Sequence, residues 1–215
     1  MRLDVAVLVL LLSVPAAAGT LTGRVEITEK NGKAGEPSDA VVYVEGLKAK
    51  AKPLTAVVTM KGKQFLPRVT VVPVGSTVSF PNDDPIFHNV FSLSGQNRFD
   101  LDLYKRPKSG SWTFENPGVV RVYCNIHPQM SAVIVVVDSG SFARPGSDGA
   151  YSIPDLPAGR YTVRAWHERG GEASREVEIK AQGASEAALA LDASQYKRAQ
   201  HKNKYGKDYS TSETY

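Results

Sequence analysis

The stretch VVRVYCNIHPQMSAVIVVV, residues 119–137, places a short polar loop between two runs of mostly β-branched residues. The runs at residues 119–123 and 132–137 have the composition of β-strands. The loop between them contains a cysteine, a histidine and a methionine. A tight loop between two strands can aim several side chains at one point, so this stretch predicts a β-sheet protein with a cluster of soft donor atoms.

The same strand pattern continues through most of the chain. Further runs rich in Val, Tyr, Phe and Thr lie at residues 41–44, 69–72, 77–80 and 161–166. Amphipathic helix signals are sparse, and residues 181–193 contain helix-favouring Ala but also Gly183 and Ser185, which make a loop equally consistent. We therefore predict an all-β protein built from antiparallel sandwiches, in which residues 134–137 belong to a central strand covered on both faces.

Composition excludes several classes of protein. The chain has 215 residues, of which 42% are hydrophobic, so one or two domains with a sizeable core are expected rather than disorder. The formal net charge of +4 is too small to indicate nucleic-acid binding. The longest apolar run, residues 5–14, is well short of the roughly 20 residues that span a bilayer, so no transmembrane helix is expected.

The first 18 residues have the features of a signal peptide. Arg2 precedes the apolar run at residues 5–14, and three alanines at residues 16–18 form a small-residue cleavage pattern. We expect cleavage before Gly19 and a periplasmic or secreted mature protein. The alternative is a short buried strand or helix at the true N-terminus.

The donor residues of the loop match a metal-ligand pattern. Cys124 is the only cysteine of a chain predicted to be exported, so it is a buried residue, an intermolecular disulfide partner or a metal ligand. His127 and Met130 follow at short spacing, and His88 ends another apolar stretch. One thiolate, two imidazoles and a distant thioether are the ligands of a blue-copper site. Each residue alone would be read as part of the core.

Two separated motifs resemble the cupredoxins, the family of plastocyanin and amicyanin. Residues 74–84, VGSTVSFPNDD, followed by His88, are similar to the first ligand segment of that family. Residues 114–118, FENPG, followed by residues 123–130, YCNIHPQM, are similar to the second. The similarity covers roughly residues 57–137, and it implies a Greek-key β-sandwich.

The resemblance also implies a ligand set and a function. It assigns His88, Cys124 and His127 as equatorial ligands of one type 1 copper ion and Met130 as the weak axial ligand. Asn89 would tie the two ligand loops together and donate its backbone N–H towards the Cys124 sulfur; the alternative is an ordinary turn residue. The implied function is electron transfer without catalytic residues, so the protein is not expected to be an enzyme.

The resemblance further implies where electrons enter and leave. In the family this is the exposed edge of the second histidine ligand, here His127, within an apolar patch. Ile126, Pro128 and Pro85 are candidates for that patch. Tyr123, next to the thiolate ligand, matches a position that provides a second electron route in some relatives, and an ordinary strand tyrosine is an equal alternative.

The rest of the chain resembles a second β-sandwich. Residues 147–163, SDGAYSIPDLPAGRYTV, are similar to the carboxypeptidase regulatory-like, transthyretin-like module, whose opening strands occur near the N-terminus instead. We hypothesise that residues 19–50 and 139–193 form one smaller, discontinuous sandwich and that the cupredoxin domain, residues 51–138, is inserted into it. The alternative is two sequential domains.

Residues 194–215 are basic and polar, so we interpret them as a flexible, solvated tail. The leading functional prediction is periplasmic electron transfer to or from an unidentified redox partner protein. The alternative is copper storage, tolerance or delivery, but the three methionines of the chain are too few for a methionine-rich copper store. A structural sandwich pair with a vestigial site is a third possibility, and the intact ligand set argues against it.

Overall fold

The protein is almost entirely β-structure in the computed structural model, which describes residues 18–47, 51–197 and 200–209. Two short 3-10 helices, Lys30–Gly32 and Gly95–Asn97, are the helices of the described residues. The strands are β1 Ala18–Thr28, β2 Val41–Glu45, β3 Thr55–Val57, β4 Thr59–Met60, β5 Phe65–Leu66, β6 Val69–Pro73, β7 Ser76–Pro81, β8 His88–Ser92, β9 Phe99–Tyr104, β10 Ser109–Phe114, β11 Gly118–Tyr123, β12 Ser131–Val137, β13 Phe142–Ala143, β14 Ala150–Pro157, β15 Gly159–His167, β16 Gly171–Ile179, β17 Ala184–Glu186 and β18 Leu189–Asp192.

Strands β3 to β12 form the site sandwich. One sheet has the order β6-β12-β11-β8-β9 and the other the order β10-β7-β3. Phe80, Phe114 and Ile134, from both sheets, pack in a common core that also contains Cys124 and Met130. The aromatic and β-branched residues that favour strands thus also fill the space between the sheets.

The remaining strands, β1, β2 and β13 to β18, form the flanking sandwich. One sheet contains β14-β1-β17, with β18 also paired to β1, and the other has the order β13-β2-β15-β16. Strand β2 pairs antiparallel with β15, from Val41 opposite Trp166 to Glu45 opposite Thr162. Residues from the two ends of the chain therefore share one sheet and one core.

A third hydrophobic cluster joins the two sandwiches. Val41 and Trp166 of the flanking sandwich pack with Val133, Val135 and Val137 of β12. The alternate residues of β12 face the core of the site sandwich, because successive side chains of a strand point to opposite faces. This arrangement explains why the uninterrupted apolar run of β12 is buried on both faces.

The prediction of an all-β protein with two sandwiches is confirmed. The sheets are mixed rather than purely antiparallel, because β6 pairs parallel with β12 and β3 pairs parallel with β7. Residues 181–193, for which a helix and a loop were equally consistent with the sequence, contain strands β17 and β18. Both strands pair parallel with β1. The alternate residues Ala187, Leu189 and Leu191 of this segment are buried in the flanking core.

The predicted signal peptide lies almost wholly outside the described residues, which begin at Ala18, the first residue of β1. Within the described ranges, none of the helices is both long and apolar enough to cross a membrane.

Candidate metal centre

Strand pairing brings the two predicted ligand segments together. His88 opens β8, and residues 124–130 form the ligand loop between β11 and β12. Tyr123, just before that loop, pairs with Phe91 of β8, so the two segments lie side by side in one sheet. The loop is closed by hydrogen bonds from the Met130 amide to the His127 carbonyl, 2.9 Å, and from the Cys124 amide to the Met130 carbonyl, 3.3 Å.

Three donor atoms converge at this point. Nδ1 of His88 lies 3.0 Å from Nδ1 of His127, and Sγ of Cys124 lies 3.6 Å from Nδ1 of His127 and 4.0 Å from Nδ1 of His88. All three residues are buried. Two imidazoles and a thiolate are a donor set suited to copper, so the residues present fit the predicted metal.

Met130 is also in the described site region. It ends the ligand loop, is only 1% exposed and packs in the same core as Cys124. Burial and loop position are those required of an axial thioether ligand, and its coordination remains a prediction.

The other ring nitrogen of His88 has a carboxylate partner. Nε2 of His88 lies 2.8 Å from Oδ2 of Asp84, so the histidine donates its Nε2–H to this carboxylate and keeps the lone pair of Nδ1 directed at the cluster. Burial alone would raise the pKa of Asp84, but hydrogen bonds from the backbone N–H groups of Lys63 and Gly62, and from His88, lower it overall. The carboxylate therefore stays charged and fixes the orientation of the ring.

The Cys124 sulfur lies in an apolar setting with backbone donors around it. Burial raises its pKa, although N–H groups of Asn89, Ile126 and His127 counteract the rise. The Asn89 amide nitrogen is 3.5 Å from Sγ. A metal ion must displace the thiol proton, since the thiolate is the ligand form. The same donors then stabilise the sulfur's negative charge.

The side chain of Asn89 links the two ligand segments. Its Oδ1 accepts a hydrogen bond from the Asn125 amide at 3.3 Å. Its Nδ2 donates to Oδ1 of Asp100 at 2.7 Å and to the carbonyl of Asp102 at 3.0 Å. This is the connection between loops that the resemblance implies, and it adds a link to β9.

His127 is favoured in its neutral, ligating form. Burial lowers its pKa first, the nearby His88 and the positive charge of Lys63 lower it further, and Asp84 opposes this effect. A neutral imidazole offers Nδ1 as a lone-pair donor, which is the state that binds metals.

The two other histidines do not join the donor cluster. His167 is buried at the end of β15, where its Nδ1 accepts a hydrogen bond from the Gly170 amide at 3.3 Å. His201 lies outside the ligand loop and stacks on Tyr123. Among the described residues, one group of histidine, cysteine and carboxylate side chains has metal-binding geometry.

Sequence reasoning overlooked two contributors to the site. Asp84 stood inside the first ligand motif, four residues before His88, and its acidic side chain was an available signal. The interpretation of residues 194–215 as a solvated tail is wrong for residues 200–209, which lie against the ligand loop. Their polar composition carries no periodic signal for such packing.

An apolar pocket of about 810 Å³ opens beside His127. Ile126 lines it, as expected, together with Ile86, Phe87 and Leu103. Pro85 and Pro128, the other two candidates for an apolar patch, are not among its lining residues. His127 itself is only 6% exposed, so it lies at the base of the pocket rather than at an exposed edge.

Comparisons with known proteins give structural likeness without a family match. No family model and no curated protein matches the chain. A purple cupredoxin from Nitrosopumilus maritimus is similar in structure, with a TM-score of 0.35 and 24% identity over 38% of this chain and 99% of that one.

Two further solved structures are similar over comparable shares of the chain. A reduced amicyanin mutant has a TM-score of 0.37 and 22% identity over 45% of this chain and 98% of that one. A copper-containing nitrite reductase from Thermus scotoductus SA-01 has a TM-score of 0.38 and 31% identity, over 44% of this chain and only 25% of the reductase.

Proposed function

We propose that this protein transfers electrons through one copper ion bound in a type 1 site. The ligands would be His88, Cys124 and His127, with Met130 as the weak axial ligand. The observation that carries the proposal is the convergence of two Nδ1 atoms and one Sγ atom, from segments 36 residues apart, in a buried position. Copper would supply a one-electron redox couple there.

The setting of the donors favours electron transfer over catalysis. Catalytic metal sites keep an open coordination position for water or substrate. Here the three converging donors are buried, and Met130 is buried in the same core as Cys124. Sheet pairing, the Asn89 link and the Asp84 contact hold the donors in place, which limits rearrangement when one electron is gained or lost.

The absorption and electron paramagnetic resonance spectra of the Cu(II)-loaded protein test the site. We expect an intense visible thiolate-to-copper band that disappears in Cys124→Ser and is lost or strongly altered in His127→Asn. His167→Asn is the matched control and should leave the band intact, because His167 lies outside the cluster. A copper-loaded protein without such a band would overturn the proposed site.

Electron self-exchange distinguishes a carrier from a copper store. A carrier should exchange electrons rapidly between its Cu(I) and Cu(II) forms, because the protein holds the same ligands in both states. Line broadening in nuclear magnetic resonance spectra of mixed-oxidation samples measures this rate. Slow exchange combined with ready transfer of copper to a chelator would favour storage or delivery.

We also propose that the flanking sandwich, residues 19–50 and 139–193, is one discontinuous domain carrying the site domain, residues 51–138, as an insertion. The pairing of β2 with β15 supports this division over two sequential domains. The likeness of residues 147–163 to the carboxypeptidase regulatory-like module agrees with it.

A periplasmic or secreted location completes the proposal. It is supported by the signal-peptide features of residues 1–18. Cell fractionation and N-terminal sequencing test it, with Gly19 expected as the first residue of the mature chain.

A further inference from the structure

The C-terminal strap, defined as residues 200–209, is fastened to the ligand loop by three hydrogen bonds. The hydroxyl of Tyr209 donates to the carbonyl of Cys124 at 3.1 Å. The Lys204 amide donates to Oδ1 of Asn125 at 2.9 Å, and Nε2 of His201 donates to the carbonyl of Pro128 at 2.6 Å. The strap thus contacts the loop along much of its length.

Aromatic stacking adds to this attachment. The ring of His201 stacks on Tyr123 with centroids 3.9 Å apart and planes 12° from parallel. Tyr209 packs its ring against His201 edge to face, at 5.2 Å. One face of Tyr123, the candidate for a second electron route, is therefore covered by the strap, while the pocket beside His127 stays open.

The strap forms one wall of that open pocket. Asn203, Tyr205 and Tyr209 line it from the strap, opposite Phe87 and Leu103 of the site sandwich. Phe87, Leu103 and Tyr205 are 49%, 55% and 72% exposed, so the mouth is apolar and accessible. An exposed apolar surface next to a functional centre is typical of a protein interaction site.

Three lysine side chains lie in or near this mouth. Lys63 lines the pocket, the Lys105 ammonium lies 5.3 Å from the centre of the Phe87 ring, and the Lys204 ammonium lies 5.6 Å from the centre of the Tyr205 ring. None of the described residues that line the pocket is acidic. The Lys204 ammonium pairs with Asp100 at 2.7 Å and with Asp102 at 3.7 Å, so it neutralises part of the negative charge beside the strap. The positive charge at the mouth therefore comes mainly from Lys63 and Lys105.

We propose that the strap and the site sandwich together form a docking surface for an acidic redox protein, which presents carboxylates around an apolar centre. This inference rests on the proposed function. The partner would exchange one electron with the copper through His127, with Cu(I) oxidised to Cu(II) as the partner's redox group is reduced, or the reverse. The lysine ammonium groups select the partner by charge complementarity, which acts mainly on the rate of encounter.

The charge preference can be measured on the full-length Cu(I) protein with two small oxidants. Hexacyanoferrate(III) is an anion and tris-phenanthroline cobalt(III) is a cation, and each accepts one electron from Cu(I). Stopped-flow absorbance follows the return of the Cu(II) band. We expect the rate with hexacyanoferrate to fall with rising salt and the rate with the cobalt complex to rise.

Variants that each remove one lysine charge show which part of the surface causes the charge preference. Lys105→Gln on the site sandwich and Lys204→Gln on the strap should each slow oxidation by hexacyanoferrate about two- to fivefold at low salt and speed oxidation by the cobalt complex. Lys180→Gln, in the flanking sandwich, is the remote control and should change neither rate. Lys202 lies on the strap but lines a different pocket, beside Tyr123 and Pro128, so Lys202→Gln should have a smaller effect than Lys204→Gln.

An acidic polypeptide tests for a protein partner rather than a small anion. Poly-L-glutamate should compete with hexacyanoferrate, and poly-L-lysine should not. If the rates depend on charge but poly-L-glutamate does not compete with hexacyanoferrate, the surface binds small anions only. That result would overturn the proposal of an acidic protein partner. Equal effects of Lys204→Gln and Lys180→Gln on the oxidation rates would show that the strap is not part of the docking surface. A normal copper spectrum with no charge preference would overturn this inference alone, whereas loss of the spectrum would overturn the proposed function as well.

Discussion

The carboxylate of Asp84 holds the imidazole of His88 at 2.8 Å through Nε2, while Nδ1 of the same ring faces His127 at 3.0 Å. Asp84 therefore orients the His88 ring, and this orientation directs Nδ1 of His88 towards His127. Backbone N–H groups of Gly62 and Lys63 hold the carboxylate in turn, at 2.8 and 2.9 Å. The loop between β4 and β5 thus contributes to the candidate site without supplying a ligand.

Replacing Asp84 by Asn should weaken copper binding while leaving the ligands in place. The amide lacks the negative charge that favours the Nε2 proton and the basicity of Nδ1, so we expect about a 10- to 100-fold loss of affinity. A competition titration with a chromophoric chelator measures it. Asp83→Asn, at the exposed neighbouring position, is the control, and equal affinities of the two variants would show that Asp84 has no special role.

Replacing Met130 by Leu should raise the reduction potential while copper remains bound. The thioether is predicted to be a weak axial donor, and an apolar residue at that position favours Cu(I) over Cu(II). Cyclic voltammetry gives the potential. Met60→Leu, a fully buried residue of the same core but outside the ligand loop, should leave it nearly unchanged. Complete loss of copper in Met130→Leu would instead make Met130 a main ligand.

Replacing Trp166 by Ala should destabilise the protein by about 3–5 kcal/mol, the range for removal of a buried aromatic side chain. Trp166 is 5% exposed and packs in the cluster between the two sandwiches. Urea unfolding monitored by circular dichroism measures the change, and two separated transitions are expected if the sandwiches uncouple. Trp112→Ala, at a position 36% exposed, should cost clearly less.

The pH dependence of unfolding should report on His167. Burial lowers its pKa below the usual 6.5, and the positive charge of Arg169 lowers it further. Because the unfolded chain then binds the proton more readily than the folded chain, stability is highest above pH 6.5 and falls as the pH drops below it, by at most about 1.4 kcal/mol per pH unit.

His167→Asn isolates this contribution. The Asn side chain keeps an acceptor for the Gly170 amide but does not titrate, so the acid-side loss of stability should be smaller in the variant. The comparison uses urea unfolding of the metal-free proteins between neutral and mildly acidic pH. Parallel curves for the two proteins would contradict the assignment.

The strands and the candidate donor residues could be predicted from local sequence patterns. Runs of β-branched and aromatic residues specify strands wherever the chain folds, which is why β11, β12 and β15 lie where expected. The identity and spacing of Cys124, His127 and Met130 within one loop likewise depend on a few neighbouring residues. The sequence pattern therefore sufficed for the all-β class and for the candidate donors.

Long-range contacts decided the rest. The approach of His88 to Cys124 depends on the pairing of β8 with β11, and the burial of the outer face of β12 depends on Trp166, which is far away in the chain. The strap's position depends on single hydrogen bonds and one stacked ring pair. A polar segment has no hydrophobic period to reveal such contacts, so only the folded chain shows that residues 200–209 cover the ligand loop.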